Sequence, residues 1–116
     1  MVFCSTTPTL TRDAAEMAAL KRRFGAPLVC FGPHASAAPA ESMERALDVD
    51  AMIVGEPEDA VVAIARLESL DGASGIPGVV LRRHGTVVPH TSRGVFTGFL
   101  DMPTPAWDLL PLKRYR

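Results

Sequence analysis

The chain has 116 residues and a mass of 12.4 kDa, which is enough for one small domain and too little for two. It is 47% hydrophobic, 22% charged and 6% aromatic with a formal net charge of -1, a balance that excludes wholesale disorder and argues against a nucleic-acid binder. It carries no run long enough to span a membrane and no signal peptide, and its two cysteines are not paired as CxxC. We therefore expect a soluble cytoplasmic protein without a membrane or nucleic-acid partner.

The first third of the chain predicts a strand, a helix and a second strand. Val2 to Ser5 is a short apolar run, and it leads into Thr6-Thr7-Pro8. From Ala14 to Phe24 apolar residues recur at helical spacing, with Thr11 or Asp13 as the expected cap and Gly25 as the expected stop. Leu28 to Phe31 is a second apolar run.

The middle of the chain repeats this alternation. Ala40 to Leu47 predicts a short helix, Val49 to Val54 a third strand, and Glu58 to Leu70 another helix that ends at Asp71-Gly72. Strands that alternate with helices indicate an α/β fold with a parallel sheet. Because the strands are continuous apolar runs, we expect burial on both faces, with Cys4 and Cys30 as buried, inert thiols.

A different pattern follows the last predicted helix. Gly78 to Arg82 and Thr86 to Pro89 are two β-rich runs on either side of Arg83-His84-Gly85, which predicts a β-hairpin. The remaining residues are rich in proline and predict an extended C-terminal linker. The predicted organisation is a partial sheet domain over residues 1–74, a hairpin extension over 75–94 and a linker over 95–116.

Only three parallel strands are predicted, fewer than a doubly wound domain normally has. We therefore expect the sheet to be part of a larger one in a longer protein. Its hydrophobic edge strand should invite pairing with another chain, as in a homodimer.

Three loops are predicted at the carboxyl ends of the parallel strands, where ligands bind in open α/β sheets. They begin at Ser5, Gly32 and Gly55 and offer small residues with hydroxyl, imidazole or carboxylate groups. Each loop also has a structural interpretation, because turning and capping need the same residue types. Glu56 and Glu58 are interpreted first as negative charges that stabilise a helix N-terminus. From residue chemistry alone, His34 is interpreted as a loop histidine that is hydrogen-bonded to the start of a neighbouring helix.

Well-known catalytic signatures are absent from the sequence. It contains no GxxxxGK[ST], GxGxxG, HExxH or GxSxG motif. No catalytic residue is predicted, and residue chemistry alone predicts a small α/β binding domain.

Four ordered motifs together resemble a known family. They are Gly32-Pro33-His34-Ala35-Ser36, then Val49-Asp50-Ala51-Met52-Ile53-Val54-Gly55-Glu56-Pro57-Glu58, then Gly75-Ile76-Pro77-Gly78-Val79 with its hairpin, and then the segment from Leu100 to Leu110, LDMPTPAWDLL. This order is similar to that of the cobalamin-binding domain of cobalamin-dependent radical S-adenosylmethionine enzymes, whose usual run is GGxH, vDxvvxGEgE, iPGl and LDxlPxPawd. Here Phe31 stands where that family often has a first glycine, and Pro57 replaces a glycine of GEGE.

The resemblance implies a Rossmann-like, flavodoxin-like domain with the corrin over the carboxyl ends of the strands. It implies that the cofactor pocket is lined by Ser5, Thr6, Thr7, Gly32, Pro33, His34, Gly55 and Glu56. The chain lacks the DxHxxG motif that supplies an axial histidine, so no cobalt ligand and no metal ligand is predicted. It also lacks CxxxCxxC, so the 4Fe-4S cluster and S-adenosylmethionine would belong to a downstream domain.

Two functions are therefore expected. The first is a cobalamin-binding module that has no catalytic activity alone and whose parent is a radical S-adenosylmethionine methyltransferase or cyclase. The second is a flavodoxin-like interaction or scaffold domain that lacks a cofactor and self-associates through its open sheet edge.

Overall fold

The computed structural model describes residues 1–90, 92, 94, 98, 102–111 and 114. Within them the chain forms an α/β, Rossmann-like arrangement, which confirms the predicted fold class. The strands are β1 (Val2–Cys4), β2 (Val29–Phe31), β3 (Ala51–Ile53), β4 (Val79–Arg83) and β5 (Thr86–Val88). The α-helices are α1 (Leu10–Phe24), α2 (Pro33–Ala37), α3 (Pro39–Arg45) and α4 (Glu58–Ala65), and short 3-10 helices span Leu70–Gly75 and Trp107–Leu109.

The five strands form one mixed sheet in the order β1-β2-β3-β4-β5. β1, β2 and β3 are parallel, whereas β4 runs antiparallel to β3, and β5 antiparallel to β4. The predicted hairpin is therefore confirmed, and it continues the sheet of the first three strands. Its turn consists of His84 and Gly85, both with positive φ (48° and 80°), as in a type I′ hairpin.

Each face of the sheet has its own apolar core. Phe3, Cys30, Met52 and Val80 point to one face, where they pack with α2, α3 and residues of α1. Val29, Ala51, Ile53, Val79 and Leu81 point to the other, where they pack with α4 and the 3-10 helix Leu70–Gly75. Burial on both faces of the central strands explains their continuous apolar runs.

Helix α2 corrects the prediction of an irregular loop after β2. Pro33 occupies the first turn, where its fixed φ suits a helix and its missing N–H costs no hydrogen bond. Helix α1 also begins earlier than predicted, at Leu10, and neither Thr11 nor Asp13 is its N-cap. Gly25 ends α1 in the left-handed conformation, as predicted.

Helix α4 is shorter than the predicted helix from Glu58 to Leu70. It ends at Ala65, and a 3-10 helix starts at Leu70 after Ser69. The Ser69 hydroxyl accepts a hydrogen bond from the Asp71 N–H at 3.2 Å, which caps this second turn separately. The predicted helical stripe is therefore divided between two elements that cover the same face of the sheet.

The predicted linker over residues 95–116 lies partly outside the described residues. In the described stretch 102–111 the backbone forms no strand or α-helix, and its regular structure is the 3-10 turn Trp107–Leu109. In the part of the chain that the structure describes, no helix is both long enough and apolar enough to cross a membrane.

Candidate functional site

The carboxyl ends of β1, β2 and β3 meet at one open groove, which we call the strand-end groove. Its volume is about 460 Å³, within the range of small-molecule pockets. The lining comes from the second and third predicted loops and from the last residues of β1 and β2: Cys4, Phe31, Gly32, Pro33, Ser36, Gly55, Glu56, Pro57 and Glu58. Four of the eight predicted site residues therefore share this groove, namely Gly32, Pro33, Gly55 and Glu56.

A hydrogen bond joins two of the loops at this groove. The Gly55 N–H donates to the Ser36 hydroxyl at 2.9 Å, so the segment after β3 is tied to α2. Gly55 has φ of 94°, and a side chain there would meet no atom within 4 Å. Its backbone is thus exposed towards the open groove, where a ligand could approach it closely.

Gly32 is required by close packing between the first two loops. Its φ is 123°, and a Cβ at this position would lie 2.3 Å from the Ser5 carbonyl oxygen. The Ser5 N–H in turn donates to the Phe31 carbonyl at 2.9 Å. These contacts extend the pairing of β1 with β2 by one residue and fix the floor of the groove.

The remaining first-loop residues are occupied with each other and with α1. Ser5 is buried, and its hydroxyl donates to the Asp13 carboxylate at 2.9 Å. The hydroxyls of Thr6 and Thr9 lie 2.9 Å apart, and the Thr6 N–H donates to the Thr9 hydroxyl. Hydrogen bonds from Thr9 and Ser5 lower the pKa of Asp13 below its ordinary 3.8. Ser5 and Thr6 thus stabilise the first loop through hydrogen bonds to Asp13 and Thr9.

His34 lies in the first turn of α2 and is only 7% exposed. Its Nδ1 is 3.1 Å from the Thr7 hydroxyl, which links the first and second loops. Its Nε2 is buried and has no hydrogen-bond partner in the described part of the chain. Thr7 and His34 are therefore brought together, but neither is among the residues that line the strand-end groove.

Five lining residues were not among the predicted site residues, namely Cys4, Phe31, Ser36, Pro57 and Glu58. The prediction that Cys4 is buried is wrong, because its thiol is exposed and no helix among the described residues covers its side of β1. Cys30 is buried as predicted, and burial raises its pKa to about 12. A sequence signal existed for Ser36, because it is the last residue of the motif Gly32-Pro33-His34-Ala35-Ser36, which directly follows β2.

The groove carries negative charge on one wall. Glu56 and Glu58 are exposed, and Glu58 starts α4, where its charge favours the helix N-terminus as predicted. Neither carboxylate forms an ion pair with another residue of the described ranges. No group of three His, Cys, Asp or Glu residues that could hold a metal ion occurs among the described residues.

Asp50 of the second motif belongs to the opposite end of the sheet. It lies just before β3, where its carboxylate accepts hydrogen bonds from Lys21 Nζ at 2.7 Å and from the Leu28 N–H at 2.8 Å. The aspartate of this motif therefore joins α1, β2 and β3 at their connections and takes no part in the groove.

The chain is similar to an uncharacterized methyltransferase of Pyrococcus horikoshii, with 26% identity over 122 aligned residues. The alignment includes the whole of this chain but only 26% of that protein, so the chain spans about a quarter of its relative's length. No protein-family profile matches the chain.

Proposed function

We propose that this chain binds a corrinoid of the cobalamin type across the strand-end groove. We further propose that it serves as the cofactor module of a methyl-transferring radical S-adenosylmethionine protein. One observation carries the proposal: the two motif loops that resemble those of cobalamin domains are joined by the Ser36 to Gly55 hydrogen bond at one groove. The similarity to a methyltransferase supports the reaction class.

The residues present fit one face of a flat macrocycle. Gly55 leaves open space where a side chain would stand, and Gly32 keeps the adjoining loop close to β1. Phe31 and Pro33 provide apolar surface, while Ser36 and Glu56 offer polar atoms to the amide groups around a corrin. When bound, such a cofactor supplies a cobalt centre that carries a methyl group.

The chain's own residues would bind and orient the cofactor and take no chemical step. No described residue is assigned to cobalt, because His34 is buried and bonded to Thr7 away from the groove lining. The hydrogen-bonded loops would instead hold the macrocycle by shape and by contacts to its rim. We assign S-adenosylmethionine and the 4Fe-4S cluster to another domain of the longer protein.

Titration with cyanocobalamin, monitored by equilibrium dialysis and by the visible spectrum, tests binding. Cys4 gives a second readout, because a ligand in the groove should slow its alkylation while leaving buried Cys30 unreactive. Saturable binding with protection of Cys4 would support the proposal. Absence of binding together with an unchanged rate of Cys4 alkylation would refute corrinoid binding by this chain.

A matched pair of variants locates the site. Cys4→Trp places an indole in the strand-end groove and should weaken binding at least about tenfold, since the bulky ring occupies the ligand's space. Val2→Trp adds the same ring on the same face of β1, two residues away and outside the lining of this groove, and should leave binding unchanged. Equal losses in both variants would show that the corrinoid binds elsewhere.

The assignment to a radical enzyme has its own test. Sequencing the DNA on both sides of the coding segment should reveal a continuous reading frame with a CxxxCxxC motif. A frame without this motif would refute the radical parentage and leave corrinoid binding to be judged by titration.

A further inference from the structure

An apolar groove runs between β1 and α4, on the face of β1 that no helix of the described chain covers. This β1–α4 groove consists of two adjoining hollows of about 540 and 370 Å³ that share Val2 and Val61. Val2 is 46% exposed and Val62 is 50% exposed. Apolar surface of this extent beside an unpaired strand edge is typical of a protein-binding site.

The same chain carries an apolar segment whose largest side chains are exposed. In the C-terminal segment, residues 106–111, Trp107 is 56% exposed and Leu109 is 78% exposed. Met102 and Pro103 line the end of the β1–α4 groove near Pro57. The segment therefore leaves the groove of its own copy after Pro103, and its largest apolar side chains remain in solvent.

The charges of the groove and of the C-terminal segment are opposite. Glu58 and Glu68 line the two hollows, and neither forms an ion pair with another described residue. Among the described residues that line the two hollows, the positively charged group is the Met1 ammonium, and it already donates a hydrogen bond to the Pro27 carbonyl. In sequence, the segment is followed by the basic residues Lys113, Arg114 and Arg116.

We propose that the β1–α4 groove binds the C-terminal segment of a second copy of this chain, with Trp107 and Leu109 packed among Val2, Val61 and Val62. Reciprocal exchange of the segments gives an isologous dimer with two identical contacts. Direct packing of one groove on another would bring the carboxylates of Glu58 and Glu68 together in both copies. In segment exchange the partner chain instead contributes a sequence that is basic just after the docked segment, and this opposite charge favours the arrangement.

Trp107 is the single tryptophan of the sequence, so its fluorescence reports on the contact directly. The full chain should dimerise in a dilution series followed by sedimentation, and Trp107 emission should shift to the blue along the same curve. Added salt should weaken the dimer because the flanking charges are screened.

Val62→Glu should weaken the dimer at least about tenfold, because docking would bury an unpaired carboxylate. Val62 is half exposed, so the variant should fold, which circular dichroism checks. The matched control Ala15→Glu changes an exposed residue of α1 and should dimerise normally. As a second variant, Trp107→Ala should also lose the dimer by sedimentation.

Three results would overturn the proposal. A chain that stays monomeric at every concentration lacks the interaction. A monomer with blue-shifted Trp107 emission docks the segment within its own copy. A dimer in which Trp107 remains exposed associates by another surface, such as pairing of the β1 edge.

Discussion

Gly32 and Ser5 are in such close contact that no side chain can be added to Gly32. A Cβ there would lie 2.3 Å from the Ser5 carbonyl oxygen and 3.2 Å from Cys4 Sγ. The carbonyl belongs to the backbone at the end of β1, which is held by the hydrogen bond from the Ser5 N–H to Phe31. The floor of the strand-end groove thus depends on glycine at this position.

Gly32→Ala should lower the free energy of unfolding by about 2–4 kcal/mol, because a strained φ adds to a backbone clash. Gly85→Ala is the matched control: its φ is also positive, at 80°, but nothing lies within 4 Å of the new methyl group. The control should lose only about 1–2 kcal/mol. Urea unfolding of both variants measures the difference, and equal losses would contradict the importance of the Ser5 contact.

Asp50→Ala should destabilise the fold by about 1–3 kcal/mol, since it leaves the buried Leu28 N–H without its acceptor and removes the carboxylate that pairs with Lys21. Glu16→Ala removes an exposed ion pair with Arg12 and should change stability by less than about 1 kcal/mol. Thermal or urea unfolding makes the comparison. A loss at Asp50 no greater than at Glu16 would show that the Asp50 contacts are weak.

The two thiols should differ in reactivity. In the native protein near neutral pH, only exposed Cys4 should react promptly with a thiol reagent such as Ellman's reagent, because Cys30 is buried and its pKa is raised to about 12. In denaturant both should react. Release of two equivalents at one rate from the native protein would contradict the burial of Cys30.

Cys30 should also make the fold less stable at alkaline pH. Its ordinary pKa is 9.0, and in the folded chain desolvation by burial, with smaller contributions from Cys4 and Asp13, raises it to about 12. Between these values the folded state keeps a proton that the unfolded state releases, so stability falls as pH rises through this window. Urea unfolding at several pH values should show this slope in the native protein and a shallower one in Cys30→Ala.

Asp13 should act in the opposite direction at acid pH. Hydrogen bonds from Thr9 and Ser5 lower its pKa in the folded state, so its contribution to stability is present above 3.8 and is lost as pH falls through the lowered value. In Ser5→Ala, the Asp13 pKa measured by NMR should rise towards 3.8. An unchanged pKa would show that the Ser5 hydroxyl does not stabilise the carboxylate. In Asp13→Asn, which cannot titrate at this position, the free energy of unfolding should depend less on pH in the acid range.

Much of the fold follows from local sequence signals. The apolar runs around Phe3, Cys30 and Met52 predict the three parallel strands, and Gly25 and the His84-Gly85 turn mark a helix end and the hairpin. These signals are readable because periodicity and turn chemistry depend on near neighbours. The short α2 was missed because a Gly-Pro start suits a turn as well as a helix.

The candidate site is only partly predictable for a related reason. Gly32 and Gly55 could be placed at strand ends from sequence, since parallel strands end at a common edge. The bond from Gly55 to Ser36 and the contact of His34 with Thr7 could not, because they join residues 19 and 27 positions apart. Likewise, Asp50 belongs to the same motif as Gly55 and Glu56, but its carboxylate bonds to Lys21 and Leu28 at the other end of the sheet.

The sequence by itself determined the order of strands and helices, the glycine turns and the three strand-end loops, because each is encoded within a few residues. Only the tertiary structure decided which faces of those elements are covered. It leaves the outer side of β1 open, so Cys4 is exposed although its apolar neighbours predict burial, and it places the hairpin on β3 as part of one sheet. Such outcomes depend on which distant segments pack together, and the local periodicity of the sequence does not determine that packing.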